Sequence, residues 1–330
     1  MTSHTHPPLP QPQIQLGKDG PLVGVQGLGC MGMSEFYGTT DETEARATLE
    51  RALELGVTMF DTADMYGLGA NETFLKPFLQ AHRDEVFIAT KFGYTRTPEN
   101  PHDWSVDNRP EHIRSAVDRS LQRLGIDTID LYYMHRRHEA VPLEDSVGTM
   151  AELVRLGKVR WLGLSAVTAS ELRAASAIHP ITALQSEWSV FTREIELKVI
   201  PAAVELGTAL VPYSPLGRGM LTGKGFTASL SEQDARQMFP RFSPENLSTN
   251  LKLVARIEEA AAALGATTAQ VALAWIYAQS RKLGATAVPI PGTRKRSRLE
   301  ENLAATTLTL SDDVMAMLEP LGRSVQGVAV

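Results

Sequence analysis

The chain has 330 residues, 43% hydrophobic and 21% charged, with a formal net charge of −6 and a single cysteine, Cys30. That length holds two average domains or one large α/β barrel, and it buries a full core without covalent staples. The acidic balance argues against a nucleic-acid binder, one cysteine excludes an internal disulfide and suits a reducing compartment, and no apolar run reaches membrane-spanning length; the composition reads as that of a soluble cytoplasmic protein.

Residues 1–13 carry Pro7, Pro8, Pro10 and Pro12 without the charged and apolar segments of a signal peptide. They are expected to form a disordered tail in which His4 and His6 are solvated, leaving 14–330 as one domain. Runs 14–16 and 22–25 flank Lys18-Asp19-Gly20, a hairpin signal that predicts a small lid on the bottom of something larger. Eight short β-rich runs follow, at 26–29, 58–60, 86–89, 129–134, 159–164, 183–185, 209–212 and 287–290, each with an amphipathic stretch behind it. Capping-box spacing marks helix starts at Thr39 with Glu42, Thr168 with Glu171 and Ser297 with Glu300, and Pro110 suits a first helical position. Eight β-then-α units imply a parallel sheet with right-handed crossovers. The expected fold is therefore an α/β (β/α)8 TIM barrel with an N-terminal β-hairpin. A doubly wound sheet ranks second, because Gly27 to Gly32 does not fit G-x-G-x-x-G. Stretches 95–109 and 222–248, after strands three and seven, are long and rich in Pro, Gly, Ser and aromatics; such insertions are functional loops or disordered ones.

In such barrels the active site lies at the C-terminal ends of the strands. Strand two runs into Asp61, Asp64 and Tyr66, strand three into Lys91 and strand four into His135. Strand five ends at Ser165, strand six at Gln185-Ser186-Glu187, strand seven at Tyr213-Ser214, and strand eight at Gly292-Thr293-Arg294. Each alone is weak: a lone lysine such as Lys91 is usually a solvated rim residue, His135 beside Arg136, Arg137 and His138 reads also as plain surface, and Asp61 as a helix cap. Seven successive strands ending in ligand-bonding groups are harder to dismiss. No closed metal-site spacing and no G-x-S-x-G elbow appears. Two chemistries survive. Lys91 could be a Schiff-base nucleophile, as in barrel lyases. Alternatively Tyr66 is a general acid, its phenol pulled down from roughly 10 by the Lys91 ammonium, which Asp61 keeps charged, while His135 bonds the substrate oxygen. The second reading employs all four residues.

The segment Arg294-Lys295-Arg296-Ser297-Arg298 crowds cations at the positive end of a helix that its Ser297–Glu300 box would start at Arg298. This is unfavourable unless an anion sits there. A solvated basic turn is the plain alternative; a cofactor 2′-phosphate, and so NADPH over NADH, is the sharper one. Ser214 to Gly219 offers glycine backbone and Arg218 to a pyrophosphate. Tyr213 before it suits a nicotinamide face or a core position.

These residues resemble the aldo-keto reductase superfamily over about 14–320. The match rests on GLGCMGMS (27–34), FDTADMYG (60–67), ATKFG (89–93), DLYYMH (130–135), GKVRWLGLS (157–165), QSEWSVFTR (185–193), YSPLGRGMLTG (213–223) and PGTRKRSRLEEN (291–302). Its wording is most similar to the branch with pyridoxal-reductase-like and perakine-reductase-like enzymes. The resemblance implies a catalytic tetrad of Asp61, Tyr66, Lys91 and His135, and hydride transfer from NADPH to an aldehyde or ketone. It also implies cofactor contacts from Met31, from Ser165 and Gln185 to the carboxamide, and from Tyr213 to the nicotinamide face. Ser214, Leu216, Gly217 and Arg218 would line the pyrophosphate, and Gly292, Thr293, Arg294, Arg298, Glu301 and Asn302 the adenosine 2′-phosphate end. Ala166 departs from the family, which usually has a polar residue there. Phe36, Tyr94, Trp104, Trp188 and Phe239 are candidate walls for a small-molecule carbonyl pocket, each reading equally as core or loop packing. A non-catalytic cofactor-binding regulator, like the potassium-channel β-subunits of the same family, is the competing function.

Overall fold

Strands β1 (Gln13–Gln15) and β2 (Leu22–Gly24) pair antiparallel with Ile14 opposite Val23, the predicted hairpin. In this computed structural model, which describes residues 10–225 and 234–328, the expected tail lies outside the described residues except for 10–13, as does part of 222–248. Seven parallel strands follow in spatial order: β3 (Leu28–Gly29), β4 (Met59–Asp61), β5 (Phe87–Phe92), β6 (Ile129–Met134), β7 (Val159–Ser165), β8 (Ala183–Glu187) and β9 (Ala209–Tyr213).

The expected eighth strand closes the barrel as an irregular segment. It touches β9 through Leu210 and Ala287 and β3 through Gly29 and Gly292. The Val288 amide donates to Leu210 O (2.9 Å), and Gly27 donates to Pro289 O (3.0 Å). Pro289 and Pro291 carry no N–H, so a continuous ladder cannot form. Closure also needs a bare backbone: a Cβ on Gly29 would meet Ile290 O at 2.9 Å.

The strands divide their side chains between two cores, as a sheet buried on both faces must. Met59, Ala89, Leu131, Tyr133, Ala183, Ala209 and Val211 fill the barrel interior, joined by Leu16 and Val23 of the hairpin. The alternate residues Phe60, Ile88, Tyr132, Leu162, Leu184 and Leu210 pack outward in a cluster with helix residues. The helices are α1 (Glu42–Glu54), α2 (Ala70–His82), α3 (Pro110–Leu124), α4 (Leu143–Arg155), α5 (Ala169–Ile178), α6 (Val199–Leu206), α7 (Pro244–Leu264), α8 (Thr268–Lys282), α9 (Arg296–Ala304), α10 (Asp312–Leu318) and α11 (Leu321–Ser324).

Two predicted caps are corrected. Asp41, not Thr39, caps α1 by accepting from Glu44 N at 3.2 Å. Helix α9 begins at Arg296, so Ser297 falls inside its first turn and is not a cap. Its leading amide is met across space instead, by Glu44 Oε1 at 3.0 Å. The Thr168–Glu171 box forms, Pro110 opens α3, and a further box, Thr267 with Gln270, caps α8. Stretch 95–109 folds back on itself, with Tyr94 bridging Val106 and Asp107 N donating to Gly93 O at 2.7 Å. No single helix among the described residues is long and apolar enough to cross a membrane.

Candidate active site

Period-two alternation carries the interior of the barrel to its C-terminal mouth. Two residues beyond the buried Met59, Ala89, Tyr133 and Ala183 stand Asp61, Lys91, His135 and Gln185, all buried. The same step from Gly163 gives Ser165, and from Val211 gives Tyr213. Apolar layers therefore give way to a polar one at the rim.

Lys91 lies at the centre. Its Nζ donates to Asp61 Oδ1 (2.5 Å), Thr62 O (2.8 Å) and Tyr66 Oη (3.2 Å). Gln185 Nε2 donates to the other Asp61 oxygen at 2.7 Å. Asn71, fully buried, steadies this wall: it accepts from Thr62 Oγ1 (2.6 Å) and donates to Cys30 O (2.9 Å) and Ser34 Oγ (2.8 Å). The His135 ring stands edge-on to Tyr66 at 5.9 Å and to Tyr94 at 5.0 Å. His135 Nδ1 is shielded from solvent and has no hydrogen-bond partner among the described residues.

Burial governs the proton affinities here. It works against the Lys91 ammonium, but the charges and hydrogen bonds of Asp61 and Tyr66 outweigh it, so the group sits above its ordinary value. Burial, with Lys91 and Arg136 adding to it, holds His135 well below its ordinary value, a neutral imidazole. The Tyr66 phenol differs from the expectation. Lys91 does pull it down, but burial pushes harder and the net direction is up. Tyr66 is thus a protonated phenol at neutral pH, held in line with an ammonium.

The turn presenting Tyr66 is unusual backbone. Gly67, Leu68 and Gly69 all have positive φ, at 55°, 55° and 92°. Glycine takes such angles freely, whereas Leu68 pays about 1 kcal/mol or more. Glu35 Oε2 accepts from Gly67 N at 2.8 Å, and Arg96 Nη1 donates to Met65 O at 3.3 Å.

The remaining predicted residues fall into three groups. Met31 packs on the Ala63, Met65 and Tyr66 cluster. Ser165 Oγ accepts from Arg136 Nη1 at 3.2 Å, and the Arg136 guanidinium lies 5.9 Å from the Tyr213 ring. Ala166 holds φ 52° beside them. The second group is the turn after β9, where Ser214, Gly217, Arg218 and Gly219 have φ of 48°, 56°, 55° and 96°, and Leu216 is half-buried. These angles fold the turn tightly on itself, Gly217 N donating to Ser214 O at 2.8 Å and Gly219 N to Leu216 O at 3.0 Å.

The third group surrounds α9. Gly292 lies at the closure, Thr293 Oγ1 accepts from Lys295 N (3.2 Å), and Asn302 is buried. Arg298 is exposed and bonded to Glu301 at 2.7 Å. Arg294 is otherwise engaged: its two terminal nitrogens donate to Gly32 O, Tyr37 O, Gly38 O and Thr40 Oγ1, stapling the loop after β3. Arg296 pairs with Glu44 at 2.9 Å. Carboxylates of α1 and α9 thus answer part of the cation crowding seen in the sequence.

Of the aromatic candidates, Phe36, Tyr94 and Trp104 gather beside the mouth, Trp104 lying 6.4 Å from Phe36 and 5.9 Å from Tyr94. Phe239 stacks under Arg218 at 4.5 Å. Trp188 takes the core alternative: it is fully buried against Trp275 at 5.8 Å. Sequence reasoning missed Glu35, Arg96, Asn71 and Arg136. Arg136 follows His135 and could have been found by that adjacency; the other three sit in loops or a helix turn and gave no signal.

A model described as the Aldo/keto reductase family matches residues 27–323. A probable aldo-keto reductase 1 of Glycine max is 42% identical over 322 residues, covering 95% of this chain and 91% of that protein. Among solved structures, a glycerol dehydrogenase from Gluconobacter oxydans superposes with a TM-score of 0.83 at 26% identity, over 95% of this chain and 96% of the other. An aldo-keto reductase from Bacillus halodurans, in its holo form, gives 0.74 at 26% identity, over 94% and 96%.

Proposed function

The chain belongs to the aldo/keto reductase family, and from that premise we propose that it reduces an aldehyde or ketone to the alcohol with NADPH, Tyr66 delivering the proton. The observation that carries this reading is the buried chain Asp61–Lys91–Tyr66, at 2.5 and 3.2 Å, beside a neutral His135. When bound, the nicotinamide cofactor supplies the hydride that the carbonyl carbon accepts. The carbonyl oxygen takes the phenolic proton of Tyr66, and the Lys91 ammonium at its hydroxyl stabilises the phenolate left behind. Asp61 keeps that ammonium charged in a dry site. The imidazole of His135 polarises the carbonyl oxygen before transfer, a hydrogen bond aimed at developing charge.

Ser165 and Gln185 are assigned the carboxamide, with Arg136 reaching the same place where Ala166 offers no polar group. Tyr213 is assigned the ring face, Ser214 to Arg218 the pyrophosphate, and Arg298, Glu301 and Asn302 the adenosine end. Arg294 serves that end through the loop it fastens. The aromatic wall of Phe36, Tyr94 and Trp104 favours an apolar, ring-bearing carbonyl.

The test is Tyr66→Phe assayed with NADPH and a nitrobenzaldehyde. Turnover should fall by about 100-fold or more, while NADPH affinity, read by fluorescence titration, stays at the parental value. Parental turnover would remove Tyr66 from the role of donor.

A further inference from the structure

Arg96 and Glu35 lie 61 positions apart, in the loops after β5 and β3, and neither belongs to the residues assigned above. Their side chains nevertheless meet as a bidentate pair, Arg96 Nη2 to Glu35 Oε1 at 2.6 Å and Nη1 to Oε2 at 3.2 Å. The pair is largely out of solvent, with 5% of the Arg96 side chain and 23% of the Glu35 side chain exposed. Bidentate geometry and burial distinguish it from surface pairs, which hold little in place.

What the pair holds is specific. Glu35 Oε2 accepts the Gly67 amide at 2.8 Å and Arg96 Nη1 donates to the Met65 carbonyl at 3.3 Å. Those are the peptide groups on either side of Tyr66, at the entry to a turn whose three following residues are left-handed. Arg96 Nε reaches Pro101 O at 2.8 Å. Its guanidinium also lies 4.5 Å from the Trp104 ring and 5.8 Å from the Phe36 ring. One ion pair therefore fastens the proton-donor turn and the aromatic wall to each other.

We infer that Glu35 and Arg96 are positioning residues, a clasp that aims the Tyr66 hydroxyl and sets the pocket wall for ring-bearing substrates. The inference rests on the reading of Tyr66 as proton donor. A hydroxyl aimed by its backbone is sensitive to small rotations of the turn. Releasing the clasp therefore slows the chemical step rather than cofactor binding, and it loosens discrimination between flat and short substrates.

The experiment compares Glu35→Ala, Glu35→Gln and Tyr66→Phe with the parent, each rate expressed per folded site counted by NADPH fluorescence titration. Rates are measured for benzaldehyde and propanal, with protiated and 4-deuterated NADPH. For Glu35→Ala, kcat should fall about tenfold, the isotope effect on kcat should rise, and the KM preference for benzaldehyde over propanal should shrink severalfold. Glu35→Gln, which keeps an acceptor oxygen for Gly67 but loses the charge, should fall between. Parental kcat and isotope effect in Glu35→Ala overturn the clasp, as does an equal loss in both Glu35 variants with no change in isotope effect. If Glu35→Ala does not fold, Glu35→Gln decides alone, and an unchanged isotope effect there overturns it. Parental turnover of Tyr66→Phe instead removes the proton-donor reading, whatever the Glu35 variants do.

Discussion

The mouth of the barrel and the start of α9 are both crowded with charge, and they use it in opposite ways. At the mouth Lys91 and Asp61 are fully or nearly fully buried, and each carboxylate oxygen has its own donor. Around α9, Arg296 and Arg298 are both 54% exposed, each paired to a carboxylate that water can also reach. A buried pair costs desolvation and is weak evidence of stability, whereas an exposed pair costs and contributes little. The contrast teaches where charge becomes chemistry: in the dry site Lys91 bears on the proton affinity of the buried Tyr66, whereas in the wet one Arg296 lowers that of Glu44, a carboxylate that water reaches.

Lys91→Met strikes the buried side hardest. Turnover should drop by about 100-fold or more. Burial raises the Tyr66 phenol and Lys91 opposes that rise, so removing the ammonium moves the phenol further up. The alkaline limb of kcat/KM for the residual activity should therefore shift to higher pH. A limb that stays in place, or moves down, breaks the proposed coupling between the two residues.

Arg298→Ala tests the exposed side. NADPH should bind about tenfold more weakly, the size of one charge-assisted hydrogen bond, with NADH hardly affected. Because the charge is exposed, added salt should narrow the difference between parent and variant. Equal weakening of NADPH and NADH in titrations would take the 2′-phosphate away from Arg298.

The last effect is on stability and belongs to a carboxyl just behind the mouth. Burial, and then the charge of Glu72, raise Asp64 to about 8, and its Oδ1 has no hydrogen-bond partner among the described residues. The native state therefore keeps a proton that the unfolded chain releases near its ordinary value of roughly 4. Stability from this group is complete below that value and is lost as pH rises towards the folded value. Asp64→Asn should flatten the decline of Tm between those limits. An identical decline in the variant would show that Asp64 is ionised in the folded protein.

Much of this contrast is legible in the chain. The order of short β-rich runs predicted the barrel strands, and the polar residues at or just past the ends of those runs, Asp61, Lys91, His135, Ser165 and Gln185, are the ones the barrel gathers at one end. The Thr168 box and Pro110 likewise needed only their neighbours. Local signals failed where a group had partners from elsewhere: Ser297 lost its capping role because Glu44 of α1 meets the α9 amide, and Arg294 turned from open cation to staple because the loop at 32–40 surrounds it.

The sequence by itself determined the order of elements, the two faces of each strand and the polar rim that includes Lys91, because these depend on spacings of two to four residues. Only the tertiary structure decided that Trp188 belongs to the core, that burial outweighs Lys91 at Tyr66, and that Arg96 finds Glu35. Those outcomes depend on solvent exclusion and on contacts between residues far apart in the chain, which no local period records.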